Sequence, residues 1–165
     1  MLKTSVEQIK QKAREFAQNN KRWHFHILTL ECQLNETREF ALILENITDN
    51  EEFVSYSDKP YMGLGEELVK LLHGSDVITD NQEKKLGEPS ISVKKMLKRA
   101  KELNQKGVFW HHHMLFPGCK FNQYKDKWVI VFEDKEQGKI IESISDIEPK
   151  NDLRHIERLF YSQKR

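Results

Sequence analysis

The chain has 165 residues, 38% hydrophobic and 32% charged, which suffices for one ordinary core or two small halves sharing one. Its 27 Lys and Arg balance 26 Asp and Glu, so no whole-molecule field points to nucleic acid or an anionic membrane, and any basic surface must be local. Apolar runs fall short of the roughly 18 to 20 residues that cross a bilayer, and charges interrupt the opening MLKTSVEQIKQKAREF where a signal peptide would be apolar. A cytoplasmic protein is the expectation, with Cys32 and Cys119 as reduced thiols or metal ligands rather than a disulfide framework.

The first predicted element is an amphipathic helix in SVEQIKQKAREFAQNN, where Val6, Ile9, Ala13, Phe16 and Ala17 recur at helical spacing. Thr4 and Glu7 have the spacing of a capping box at its start. A strand follows in WHFHIL from Trp23, then a turn in which Asn35 supplies a local side-chain to backbone hydrogen bond. The stretches FALILEN from Phe40 and VSYSD from Val54 read as strands, being rich in β-branched and aromatic residues between polar turns. A second amphipathic helix carries Leu64, Leu68, Leu71 and Leu72 and stops at Gly74.

The polar, aperiodic stretch SDVITDNQEKKLGEPS, residues 75–90, reads as a linker. Beyond it the same series returns. SVKKMLKRAKELNQKG is the first helix again, with Val93, Met96, Ala100 and Leu103 as its stripe and Gly107 as its stop. WHHHMLFPGCKFN from Trp110 overlays WHFHILTLECQLN from Trp23 without a gap, sharing Trp, two His, Leu, Cys and Asn at matching places. WVIVFED from Trp128 matches FALILEN, ESISD matches VSYSD, and Leu153, Ile156, Leu159 and Phe160 form the closing helix. The expected fold class is therefore α+β, an internal duplication of a helix-strand-strand-strand-helix unit. Two halves, 1–74 and 91–165, are expected to pack about a pseudo-twofold axis as one compact domain with mainly antiparallel sheet.

The doubled strand motif carries the chemistry. Alternate strand residues face one way, so His24, His26 and Leu28 share a face opposite Trp23, Phe25 and Ile27, and His111, His113 and Leu115 repeat the arrangement. Along the helices most polar residues differ between copies, whereas in this stretch two His, Cys and Asn are identical, as are Glu45 and Glu133 at the ends of the matching second strands. Two His and one Glu per copy match in type the donor sets of zinc and of non-haem iron. His24, His26, Glu45, His111, His113 and Glu133 are the candidate ligands, and the four histidines are also candidate acids and bases for metal-assisted hydrolysis or oxidation. One shared site and two separate three-ligand sites both satisfy this pattern. His112, which stands where the first copy has Phe25, is the asymmetric member.

HFHILTLE also resembles the His-x-His and Glu metal motif of cupins, but the second copy has Gly118 where Glu31 stands and lacks the flanking glycines. The duplicated architecture is similar to that of two-His phosphoesterases, whose phosphate-binding Ser or Thr is displaced in HILT and absent from HMLF. A metal-free site for a phosphate-containing small molecule, built from paired His, is the alternative reading. A third, weaker one is a nucleic-acid or protein interaction module. It rests on Lys94, Lys95, Lys98, Arg99, Lys101 and Lys106.

Overall fold

The computed structural model describes residues 2–74 and 86–163, with side chains from residue 4 onward. Most of the expected linker, residues 75–85, lies outside the described residues. The chain divides into two compact units, Met1–Asp76 and Val77–Arg165. The first contains β1 (Leu2–Lys3), α1 (Val6–Gln18), β2 (Trp23–Leu28), β3 (Phe40–Asn46), β4 (Glu51–Ser57) and α2 (Leu64–His73). The second contains α3 (Ile91–Lys106), β5 (His111–Leu115), β6 (Trp128–Asp134), β7 (Lys139–Ser145) and α4 (Lys150–Tyr161). A helix-strand-strand-strand-helix unit thus occurs twice, each copy built on an antiparallel three-stranded sheet, and the fold is α+β.

In the first unit the strands lie in the order β1-β4-β3-β2, with β1 running parallel to β4. This short strand explains why α1 starts one residue later than the sequence suggested. Thr4 still belongs to the pairing, its N–H donating to the Val54 carbonyl at 2.7 Å. Ser5 is therefore the first residue released to cap. Its Oγ accepts from the Gln8 N–H at 3.2 Å while Gln8 Oε1 accepts from the Ser5 N–H at 2.9 Å, so the capping box is Ser5 and Gln8 rather than Thr4 and Glu7. In the second unit α3 is capped by Ser90 and ends at Gly107, whose φ of 68° is the left-handed conformation that a glycine adopts without strain. Ser92, the counterpart of Ser5, instead bonds Ser143 on β7 at 2.6 Å.

The helices cover the tryptophan face of each sheet. Trp23, Leu42 and Leu44 pack with Ile9, Ala13 and Phe16 of α1 and Leu64 and Leu68 of α2. In the second unit Trp110 meets Phe132 and Phe160, ring centroids 5.1 and 5.4 Å away, and its indole N–H donates to Asn104 at 2.8 Å. Each fully buried aliphatic or aromatic side chain contributes roughly 1.5 to 3 kcal/mol, which makes this face the main source of cohesion in each unit.

The loops between the first two strands of each copy are built alike. Asn35 donates to the Thr29 and Glu39 carbonyls, both at 2.8 Å, and accepts from the Thr37 N–H at 3.0 Å. Asn122 donates to Phe116 and Lys127 at 2.9 and 2.8 Å and accepts from the Tyr124 N–H at 2.9 Å. One amide side chain therefore clamps both ends of each loop, which sets the register with which the histidine strand meets its neighbour. Cys32 and Cys119 sit inside these clamped turns, buried, with their N–H groups donating to Thr29 and Phe116. Residues 86–90 are strapped to α4, where Asn151 and His155 bond Gly87 and Asp152 accepts from the Ser90 N–H.

Candidate metal centres

The pairing register brings the histidines and the carboxylate of each copy to one face. Glu45 lies directly opposite His24, and Glu133 directly opposite His111. Residues opposite each other across an antiparallel pair project to the same side, and the next residue but one on the strand lies diagonally within reach. His26 accordingly meets Glu45 at 2.6 Å, Nε2 to Oε1, and His113 meets Glu133 at 3.5 Å through the same atoms. The imidazoles lean together within each copy, with His24 and His26 ring centroids 4.2 Å apart and His111 and His113 4.5 Å apart, edge to face in both cases. That is closer than the spacing of alternate residues along an extended strand alone.

All six side chains are buried, none more than 7% exposed. Within each set the donor atoms of the two His and the Glu lie within 4.8 Å of one another. By geometry, three atoms so spaced share a point no more than about 2.8 Å from each, since 4.8 Å divided by the square root of three sets the limit. Zinc needs about 2.0 to 2.2 Å to nitrogen and oxygen. The buried donors of each copy could therefore hold a metal ion.

In the second copy the carboxylate is strongly perturbed by its neighbours. Burial pushes the Glu133 carboxyl up, but its hydrogen bond to His113 and the charges of His113, His111 and Lys135 together outweigh burial and hold it well below the usual carboxylate range. Lys135 is the contributor that reading the sequence missed. Its Nζ is 3.2 Å from Glu133 Oε2. A lysine just past a strand end resembles an ordinary solvated charge, but comparison of the two copies offers the signal, because the matching residue is Ile47.

His112 lies on the other face, packed against Phe160 at 4.6 Å and Trp110 at 6.1 Å between ring centroids, so the asymmetric histidine belongs to the helix side of the sheet. Burial, helped by the neighbouring His113, lowers its pKa to about 3, which keeps the ring neutral. An unfolded chain protonates this histidine below about pH 6.5 while the folded one resists until about pH 3, so stability is lost as pH falls through that window. In metal-free protein, His112→Phe should leave stability at pH 4.5 about 2 kcal/mol better relative to wild type than at pH 7. Urea unfolding at the two pH values tests this, and equal differences would show that His112 is not held neutral.

Three of the six cations on the basic helix engage internal partners. Arg99 engages Asp134 at 2.6 Å and also Glu136 and Glu102, Lys106 engages Glu136, and Lys94 engages Glu88. Lys95, Lys98 and Lys101 are exposed. Among the described residues no helix is long and apolar enough to cross a membrane.

No protein-family model, curated protein or solved structure matches the chain. Its class is defined by fold and site: a duplicated α+β protein with a buried His-His-Glu set in each copy.

Proposed function

We propose that the protein binds divalent metal, one ion held by His24, His26 and Glu45 and a second by His111, His113 and Glu133. The observation that carries this reading is the repetition of the same three buried donors, in the same register, within one coordination radius. Burying a carboxylate and two imidazoles is costly, and a cation shared by all three would add to the contacts they already make with one another. Zinc and ferrous iron suit such a nitrogen and oxygen set. Water or a thiolate would complete each shell, and the buried thiols fit a reducing, cytoplasmic setting. Where the carboxylate does not itself ligate, it orients the imidazole by accepting its second N–H.

The carboxylates also favour metal over a metal-free phosphate site. Glu45 and Glu133 project from the same faces as the histidines, and a phosphate ester would meet like charge there. Burial favours metal that consolidates the fold. Metal-assisted hydrolysis or oxidation is the second reading, since catalytic zinc and iron sites draw on the same imidazole and carboxylate donors.

The test is elemental analysis of untagged protein purified without immobilised metal, because His111 to His113 bind nickel adventitiously. At least one equivalent of zinc or iron per chain is expected as isolated, rising to two when zinc is offered back. Absence of bound metal under both conditions overturns the proposal.

A further inference from the structure

Resting on the metal reading, the second inference concerns a residue that makes the two sets unequal. The copies agree at every donor, His24 with His111, His26 with His113 and Glu45 with Glu133, and in the register that pairs them. They differ two residues beyond the carboxylate, where the first copy has Ile47 and the second Lys135. We propose that Lys135 is a positioning residue that makes the second-copy centre a weak, exchangeable metal site beside a tight first-copy centre.

The geometry supports this in two ways. The ammonium of Lys135 is 3.2 Å from Glu133 Oε2, with a side chain 18% exposed, so solvent screens the contact only in part. The imidazole contact differs too, 2.6 Å in the first copy and 3.5 Å in the second, where the Glu133 carboxylate is shared between His113 and the Lys135 ammonium.

A divalent ion arriving at the second set meets a carboxylate already neutralised by an ammonium, and must either displace that ammonium or sit beside a like charge. Either route costs affinity, and the ion's own charge of two doubles the repulsion relative to a monovalent cation. Contacts to metal ligands from outside the coordination shell typically change affinity on the order of 10- to 100-fold. In the first copy Ile47 brings no charge to the corresponding place.

The experiment titrates chelator-stripped, untagged full-length protein with zinc, reading both affinities by competition with a chromophoric chelator. Wild type should show two classes of site, separated on the order of 10- to 100-fold. Lys135→Ile and Lys135→Met should each tighten the weak class toward the tight one, and Ile47→Lys should weaken the tight class. His26→Ala should abolish the tight class and His113→Ala the weak one, and circular dichroism confirms that each variant keeps its fold. Two equal sites in wild type, or a weak class unmoved by both Lys135 substitutions, overturn this inference while leaving metal binding intact. No zinc uptake by any variant overturns both.

Discussion

Replacing His26 by alanine should destabilise the first unit by about 3 kcal/mol in the absence of metal, the expected cost of taking a buried carboxylate's hydrogen-bond partner away. The side chains are 0% and 6% exposed, so water cannot take the place of the lost imidazole beside Glu45. Against a total stability of roughly 5 to 15 kcal/mol, that loss removes a large share. Glu45→Gln should cost less, about 1 to 2 kcal/mol, since an amide of the same size still accepts from the imidazole N–H and leaves no charge behind. Urea unfolding of both variants, with and without zinc, separates two roles. If His26 and Glu45 are ligands, zinc stabilises wild type and fails to restore either variant to the wild-type level. If they only pack, zinc changes none of the three, and the ordering of the metal-free stabilities alone survives.

Much of this arrangement is legible in the sequence because it is written twice. A strand alternation of two places His24 with His26 and opposes Trp23 to both, and the helical stripes of Ile9, Ala13 and Phe16 show which face the helices cover. The pairing of His24 with Glu45 is a different matter. It depends on where the intervening loop begins and ends, and that is set by Asn35 reaching both Thr29 and Glu39, a pair of loop-end bonds that periodicity does not encode. Local ambiguity explains the helix start: Thr4 and Ser5 are equally good caps, and only the bond from Thr4 to Val54 on a distant strand decides between them. Lys135 stands out only on comparing the copies, for a similar reason. Its meaning lies in a carboxylate two residues away that points to the same side of the strand, and a charge at a strand end looks solvated until that side is known to be buried.

Adding zinc to metal-free wild type should raise stability by about 4 kcal/mol for a centre exposed to free zinc at 1,000 times its Kd, and chelation should remove that gain. For a chain of this length such a change corresponds to a rise in Tm on the order of 10 °C, read by differential scanning calorimetry. The two units should not respond together. With zinc between the two dissociation constants, the first copy is occupied and the second is not, so only the first gains and the melting transition broadens or splits. At saturating zinc both gain, and Lys135→Ile should bring the second gain to lower zinc. Protons enter the same balance. Ligating imidazoles must be neutral, so zinc uptake releases protons from any that are charged, and the stabilisation at fixed zinc should shrink as pH falls through the range where histidine protonates. A Tm that ignores zinc at pH 7.5 but shifts with pH would place the stability of these strands in the imidazole-carboxylate contacts themselves. A Tm that follows zinc at high pH and loses that dependence in acid would identify the doubled His-x-His strands as the means by which a small, heavily charged chain gains stability from metal.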